Sequence, residues 1–239
     1  MLDEAQLERV LVITAHPDDV DFGAAGTIAG LTDRGVHVSY CIVTDGDAGG
    51  FQTAVTRAEM AALRREEQTR AAKEVGVSDL IFLAQPDGRL QADLDLRELL
   101  ARVIRQVRPE LVITQHPVRN LSRIRASHPD HLAVGEAALC AVFPDSRNPF
   151  AFPHLLQAEG LEPWTVPEVW LFGGGDGARV VDITDQLDRK LRALRAHESQ
   201  HEDQDQIAAF VAEWGRTIGA QHGLGDGRAG EVFLVVDTG

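Results

Sequence analysis

The sequence predicts a doubly wound, Rossmann-like α/β domain with a mostly parallel sheet over about residues 8–143, and a C-terminal hairpin and helix elaboration over about 144–239. Two observations predict it. Short apolar runs rich in β-branched residues alternate with longer helix-period segments, the pattern of parallel strands covered on both faces by crossover helices. Clusters of histidine and aspartate also stand directly after two of those runs, at the strand carboxyl ends where open α/β sheets bind ligands.

The elements follow in order. "RVLVITA" (9–15) is a strand, "GTIAGLTDRG" (26–35) a helix closed by Gly35, and "VHVSYCIVT" (36–44) a second strand. "TRAEMAALRREEQTRAAKEVG" (56–76) is a long helix with Gly76 as its C-terminal stop. "DLIFLA" (79–84), a helix over 94–109 ended by proline, the strand "ELVITQ" (110–115) and the helix "PDHLAVGEAALCAVF" (129–143) complete the core. Beyond a proline-rich loop (143–153), "EVWLF" (168–172) and "ARVVDIT" (178–184) read as a hairpin around the glycine run "GGGDG". A phosphate-binding loop needs a helix N-terminus after the glycines. Here a strand follows, so the run reads as a turn. A helix over about 185–200, another over 205–219 and a strand "EVFLVVD" end the chain. Without repeats or a low-complexity linker, residues 1–239 read as a single domain.

Composition narrows the function. A net charge of -14 argues against nucleic acid or an anionic membrane surface as partner, because phosphates would repel the protein. No signal peptide is read at "MLDEAQLERV", and no apolar run approaches the ~20 residues of a membrane span. Cys41 and Cys140 both lie in apolar context and read as buried free thiols, which fits a cytoplasmic location.

The chemistry concentrates in two clusters. In "VLVITAHPDDVDFG" (10–23) a strand runs directly into His16, Asp18, Asp19 and Asp21. Three aspartates in four residues repel one another, and stability alone would seldom gather them beside a core strand; the plain alternative is an Asp-rich solvated turn. In "SHPDHLAVG" (127–135), Pro129 suits a first helical turn, and His128 and His131, three apart, share one side of it. A catalytic zinc takes three imidazole or carboxylate ligands and leaves a position for water. His16, Asp19 and His131 supply such a set, and Asp18 is then free as general base. From spacing alone the two aspartates are exchangeable. His128, beside the ligand His131, carries a positive charge to the oxyanion or a proton to the leaving amine.

At these residues the sequence resembles the zinc-dependent de-N-acetylases named for N-acetylglucosaminyl-phosphatidylinositol deacetylase, the LmbE-like proteins. Their pattern is a strand followed by "AHPDDE" and, mid-chain, "HPDH"; here these read "AHPDDVD" (15–21) and "HPDH" (128–131). The likeness extends through "VTDGDAGG" (43–50), "LRREEQTRAAKEVGV" (63–77), "PDGRL" (86–90), "PEVWLF" (167–172) and "VDITDQLDRKLRALRAHESQ" (181–200). The resemblance implies one Zn2+ per chain, or another divalent metal, on His16, Asp19 and His131, with Asp18 as base and His128 as acid or oxyanion partner. It implies that Arg64 and Asp87 contact the sugar or its substituent. The implied activity is hydrolysis of the N-acetyl (acyl) group of an N-acetylglucosamine-type sugar or conjugate, and self-assembly is common among such proteins. Two departures stand out: Val20 replaces the motif's glutamate, and "RIRAS" stands where some members place a tyrosine. The adjoining loop carries Arg119, Arg123 and Arg125, suited either to an anionic or hydroxyl-rich substrate group or simply to water.

"HESQH" (197–201) fits the zinc-protease pattern of two histidines four apart with an intervening glutamate. The polar "EDQDQ" that follows supplies neither cleft nor third ligand, so His201 reads as incidental and His197 as a packed or site-supporting histidine. Two other functions compete with the amidase. A phosphoesterase would recruit Asp45, Asp47 and His116 to a second metal. A sugar- or metal-binding protein on the same fold would bind without turnover.

Overall fold

The protein is described from a computed structural model, over residues 7–122, 124, 127–174 and 178–239. Seven strands form one sheet in the order β3-β2-β1-β4-β5-β7-β6. They are β1 (Arg9–Thr14), β2 (His37–Thr44), β3 (Asp79–Gln85), β4 (Leu111–Thr114), β5 (Glu168–Phe172), β6 (Arg179–Asp182) and β7 (Gly230–Asp237). The first five are parallel, as the unbroken apolar runs predict.

Alternation along each strand feeds two cores. Val10 and Val12 of β1 enter one; Leu11 and Ile13 enter the other. Each such side chain contributes about 1.5–3 kcal/mol when fully buried. The first face is covered by α1 (Asp19–Gly23), α2 (Ala25–Asp33), α3 (Arg57–Glu74) and α7 (Leu187–Arg195). The second is covered by α4 (Leu94–Val107), α5 (Pro129–Cys140) and α6 (Pro153–Gln157), while α8 (Gln204–Gln221) packs on β7. Among the described residues no helix is long and apolar enough to cross a membrane.

Three expectations are corrected. Strands β5 and β6 do not pair as a hairpin, because β7 lies between them, antiparallel to both. The four-residue β6 is half-exposed throughout, the profile of an edge strand, whereas β7 buries Phe233 with ring centroids 5.3 Å from Trp170 and 6.4 Å from Phe172. Burial of Phe233 therefore outranks the short connection. The helix expected over 185–200 stops at Arg195, where Ala196 N–H turns back to the carbonyls of Ala193 and Leu194. Cys140 is only half-buried, near the end of α5 with its Sγ 3.7 Å from Glu136, whereas Cys41 is fully buried, which pushes its thiol up to about 12. Both thiols are free.

Candidate active site

The strand order reverses between β1 and β4, and that switch point is where the clusters meet. His16 follows β1, Gln115 follows β4, and α5 carries His128 and His131 over the same edge. His16 Nδ1 lies 3.2 Å from His131 Nε2 and 3.4 Å from Asp19 Oδ2, and His131 Nε2 lies 3.0 Å from Asp19 Oδ1. Metal bonds of about 2.0–2.2 Å, at angles between right and tetrahedral, put donors roughly 2.9–3.5 Å apart. The triangle fits one ion, and the donor set of two imidazoles and a carboxylate is that of a catalytic zinc or a similar divalent metal.

The other nitrogen of His16 faces away from the triangle. Nε2 is 3.1 Å from Asp87 Oδ1 and 3.3 Å from Asp130 Oδ2. Asp130 is fully buried and also accepts the N–H groups of Gly88 and Leu90, at 2.7 and 3.1 Å. An imidazole whose second N–H is held by carboxylates is fixed in ring orientation and made more basic toward a metal. Burial opposes charge on His16, but hydrogen bonds to Asp130, Asp19 and Asp87 outweigh it and push the group up to about 12. Burial likewise opposes ionisation of Asp19, yet His131 and His16 hold it well below the usual carboxylate range. The pocket thus favours positive charge at this point.

Asp19 is further held by Gln115, whose Nε2 donates to Oδ2 at 2.7 Å while its Oε1 accepts Ala15 N–H at 3.0 Å. Gly135 of α5 sits against this segment so closely that a Cβ there would lie 2.4 Å from the Gln115 carbonyl oxygen. The absence of a side chain is what lets α5 bring His131 up to Asp19.

Asp18 occupies the left-handed region at φ 97°, unusual without glycine and costly by about 1–3 kcal/mol. The buried face of α3 supports it. Gln68 Oε1 accepts Asp18 N–H at 2.8 Å, and Arg64 Nη2 lies 3.0 Å from Asp18 Oδ2 while also donating to the Pro17 carbonyl. Burial raises the Asp18 carboxyl, with Arg64 pulling the other way. His128 caps α5, its Nδ1 accepting Asp130 N–H at 3.2 Å, and its ring stands edge-on to His16 with centroids 4.8 Å apart. Burial and the neighbouring His16 lower it.

The "HESQ" segment lies outside any helix, so the zinc-protease geometry is absent from it. His197 is fully buried, with Nε2 2.8 Å from Asp21 Oδ2, and Gln68 Nε2 donates to the same oxygen at 3.1 Å. Ser199 binds Glu67 through N–H and hydroxyl at 2.8 and 2.7 Å. His197 therefore packs beneath the base loop, linked to Asp18 through Asp21 and Gln68.

Arg64 is almost wholly buried, its guanidinium bonded to Pro17, Gly46 and Asp18. Asp87 borders the triangle through His16. Asp47 is bonded by Arg57 at 2.6 and 3.0 Å, and Asp45 lies 3.3 Å from Arg65. Arg119 is on the exposed loop after β4, its Nη1 3.3 Å from the Ser127 carbonyl, while Arg123 and Arg125 lie outside the described residues. Beside the Asp19–His131 edge opens a cavity of about 740 Å3, bordered by His116 on one side and by Phe172, Trp214 and Val232 on the other.

A family model for the GlcNAc-PI de-N-acetylases (PIG-L) matches residues 11–142, more than half of the chain. The chain belongs to the PIG-L family. Diacetylchitobiose deacetylase of Thermococcus kodakarensis is 35% identical over 194 residues, covering 81% of this chain and 70% of that protein. The probable N-acetyl-alpha-D-glucosaminyl L-malate deacetylase 2 of Bacillus subtilis is 32% identical over 208 residues, with coverage of 82% and 84%. Among solved structures, the inhibitor complex of N,N'-diacetylchitobiose deacetylase from Pyrococcus horikoshii superposes with a TM-score of 0.88 at 31% identity, covering 97% of this chain and 85% of that one. Within this PIG-L chain the sole tyrosine, Tyr40, is buried in β2, and Val20, at the motif's glutamate position, is buried in the core. Sequence reasoning missed Gln115, Gln68, Asp130 and Gly135. A polar residue immediately after β4 is the same signal that singled out His16 after β1, and it was available for Gln115.

Proposed function

We propose that the protein is a one-metal carbohydrate de-N-acylase acting on an N-acetylglucosamine-type sugar or conjugate. The observation that carries this is the His16–Asp19–His131 triangle with Asp18 beside it. Kinship to the diacetylchitobiose and glucosaminyl-malate deacetylases supports the substrate class. We read residues 1–239 as one domain, supported by the continuity of the sheet, and the two free thiols favour a cytoplasmic setting.

When bound, zinc or another divalent ion supplies Lewis acidity to the acyl carbonyl and eases deprotonation of water near neutral pH. The chain's own residues do the rest. Asp18 takes the proton from the attacking water, and Arg64 holds its carboxylate in place; this positioning role suits the burial of Arg64 better than direct sugar contact. Asp130 and Asp87 hold His16 in one orientation. His128, at the positive end of α5, stabilises the developing negative charge and in its protonated form gives its proton to the leaving amine, while the proton taken by Asp18 passes to solvent to restore both groups. Asp87 remains at the border of the site for a sugar hydroxyl.

A two-ion phosphoesterase fits less well. The second donor group, His16–Asp87–His128, shares His16 with the first, and a neutral imidazole has one lone pair to give. Asp45 and Asp47 are engaged by arginines.

The test is acetate release from N-acetylglucosamine and N,N'-diacetylchitobiose, with metal counted per chain. Release should need about one divalent ion per chain, stop with chelator, and fall roughly 10²–10⁴-fold in Asp18→Asn. Undiminished release by chelated protein would overturn the reading, and binding of these sugars without turnover would favour the sugar-binding alternative.

A further inference from the structure

The cavity beside the triangle is too large and too apolar to be explained by an acetyl methyl. It measures about 740 Å3 and touches the site through Asp19 and His131. One wall is apolar, with Phe22, Phe172, Val211, Trp214, Ile218 and Val232 from α1, β5, α8 and β7; the facing loop after β4 adds polar groups, Gln115, His116 and Asn120 among them. The charged pair in its floor is already engaged. Lys190 Nζ binds Glu231 at 2.5 Å and the Phe22 carbonyl at 2.7 Å, and Glu231 accepts the N–H groups of Gly26 and Thr27 at 3.0 and 2.7 Å.

The placement of the reacting groups decides which part of a substrate enters. An amide carbonyl carbon carries two substituents on opposite sides, the amine and the acyl chain. The amine must lie within reach of its acid, His128, which clusters with Asp87 around the Nε2 side of His16. That flank is also polar, with Asp47 bonded to Arg57 and to the Asp87 N–H. The cavity opens on the other side, along the Asp19–His131 edge. Against the wall of phenylalanine, valine and isoleucine, sugar hydroxyls would lose water without gaining partners, whereas methylenes gain from the same transfer.

We propose that this cavity is an acyl subsite, and that the group removed is an aliphatic acyl chain longer than acetyl. The inference rests on the de-N-acylase reading above and adds the class of the acyl group. Burying successive methylenes should strengthen binding roughly three- to fourfold each until the cavity is filled.

The experiment uses the zinc-loaded protein with N-acetyl-, N-butanoyl-, N-hexanoyl- and N-octanoyl-glucosamine. Initial rates give kcat/KM, and calorimetry on the Asp18→Asn variant gives Kd without turnover. We expect both to improve stepwise with chain length. Val232→Phe, which fills the cavity from β7, should bring the ratio of hexanoyl to acetyl kcat/KM down to about one; Ile218→Phe provides the same test from α8, the helix packed on β7. Efficient hydrolysis of N-acetylglucosamine with no gain in longer chains would overturn the subsite and leave the general function standing. Gains for aryl glycosides of N-acetylglucosamine in place of longer amides would overturn the orientation. If no amide is cleaved, the general function fails, and the calorimetric series still decides the cavity: flat affinities sink it, rising ones support it.

Discussion

Gly135 gives the sharpest test of how the fold builds the site. In Gly135→Ala the new Cβ would fall 2.4 Å from the Gln115 carbonyl oxygen and 2.9 Å from Pro117 N, where ordinary contact begins near 3.4 Å. Both obstacles are backbone, so α5 must retreat by about 1 Å, carrying His131 with it. The donor edges from His131 to Asp19 and His16, now 3.0 and 3.2 Å, would widen to about 4 Å, beyond the roughly 2.9–3.5 Å that one ion spans. Stability should fall by about 1–3 kcal/mol from overpacking, less up to ~1 kcal/mol regained from helix propensity. A 1 Å misplacement costs on the order of 10² in rate. The measurements are urea denaturation, metal content after dialysis, and kcat/KM for deacylation. Glu136→Ala, one position along on the exposed side of α5, is the control and should change little. A Gly135→Ala protein with full metal content and normal kcat/KM would refute the idea that this close approach sets the site.

Four further outcomes follow from the same contacts. Gln115→Leu removes the donor to Asp19 and the acceptor for Ala15 N–H, and should weaken metal binding about 10–100-fold in a competition titration. Lys190→Met leaves Glu231 buried without its cation and should cost about 3–5 kcal/mol in chemical denaturation. Metal removal should lower the melting temperature, since an ion present at a thousand times its Kd stabilises the native state by ~4 kcal/mol. For pH, burial works against Asp182 but Thr184 and Arg228 hold its carboxyl below the usual range. Its stabilisation is therefore full above the unfolded value near 3.8 and is lost as pH falls through the lower native one. Wild type and Asp182→Asn should differ in stability at pH 6 and converge in strong acid.

The parallel half of the sheet was legible because strands buried on both faces leave unbroken apolar runs, and "VLVIT" or "VSYCIVT" admit little else. The triangle was legible for a related reason: His16 and Asp19 follow one such run directly, and His131 is fixed in the first turn of α5 by Pro129. What stayed hidden depends on contacts across long stretches of chain. The pairing of β7 between β5 and β6 is decided by Phe233 meeting Trp170, and no local pattern reports that. Arg64 and Gln68 read as one charged, hydrophilic stretch of α3, yet both point inward, because the base loop they support is polar. His197 drew notice for a motif it does not serve. Its partner is Asp21, 176 positions earlier.

One feature of the sheet bears on how the molecule is made. Glu231 on β7 accepts the N–H groups at the start of α2, 205 residues back in the chain. A ribosome delivering the polypeptide in order emits the histidines and aspartates of the triangle about a hundred residues before that clamp exists. The first quarter of the molecule must therefore wait, with α2 unclamped and the slot beside β5 open, for a strand that emerges late. In that interval β5 is a bare edge that another nascent copy could fill, so the yield of native protein should depend on how quickly β7 arrives and how crowded the neighbouring chains are.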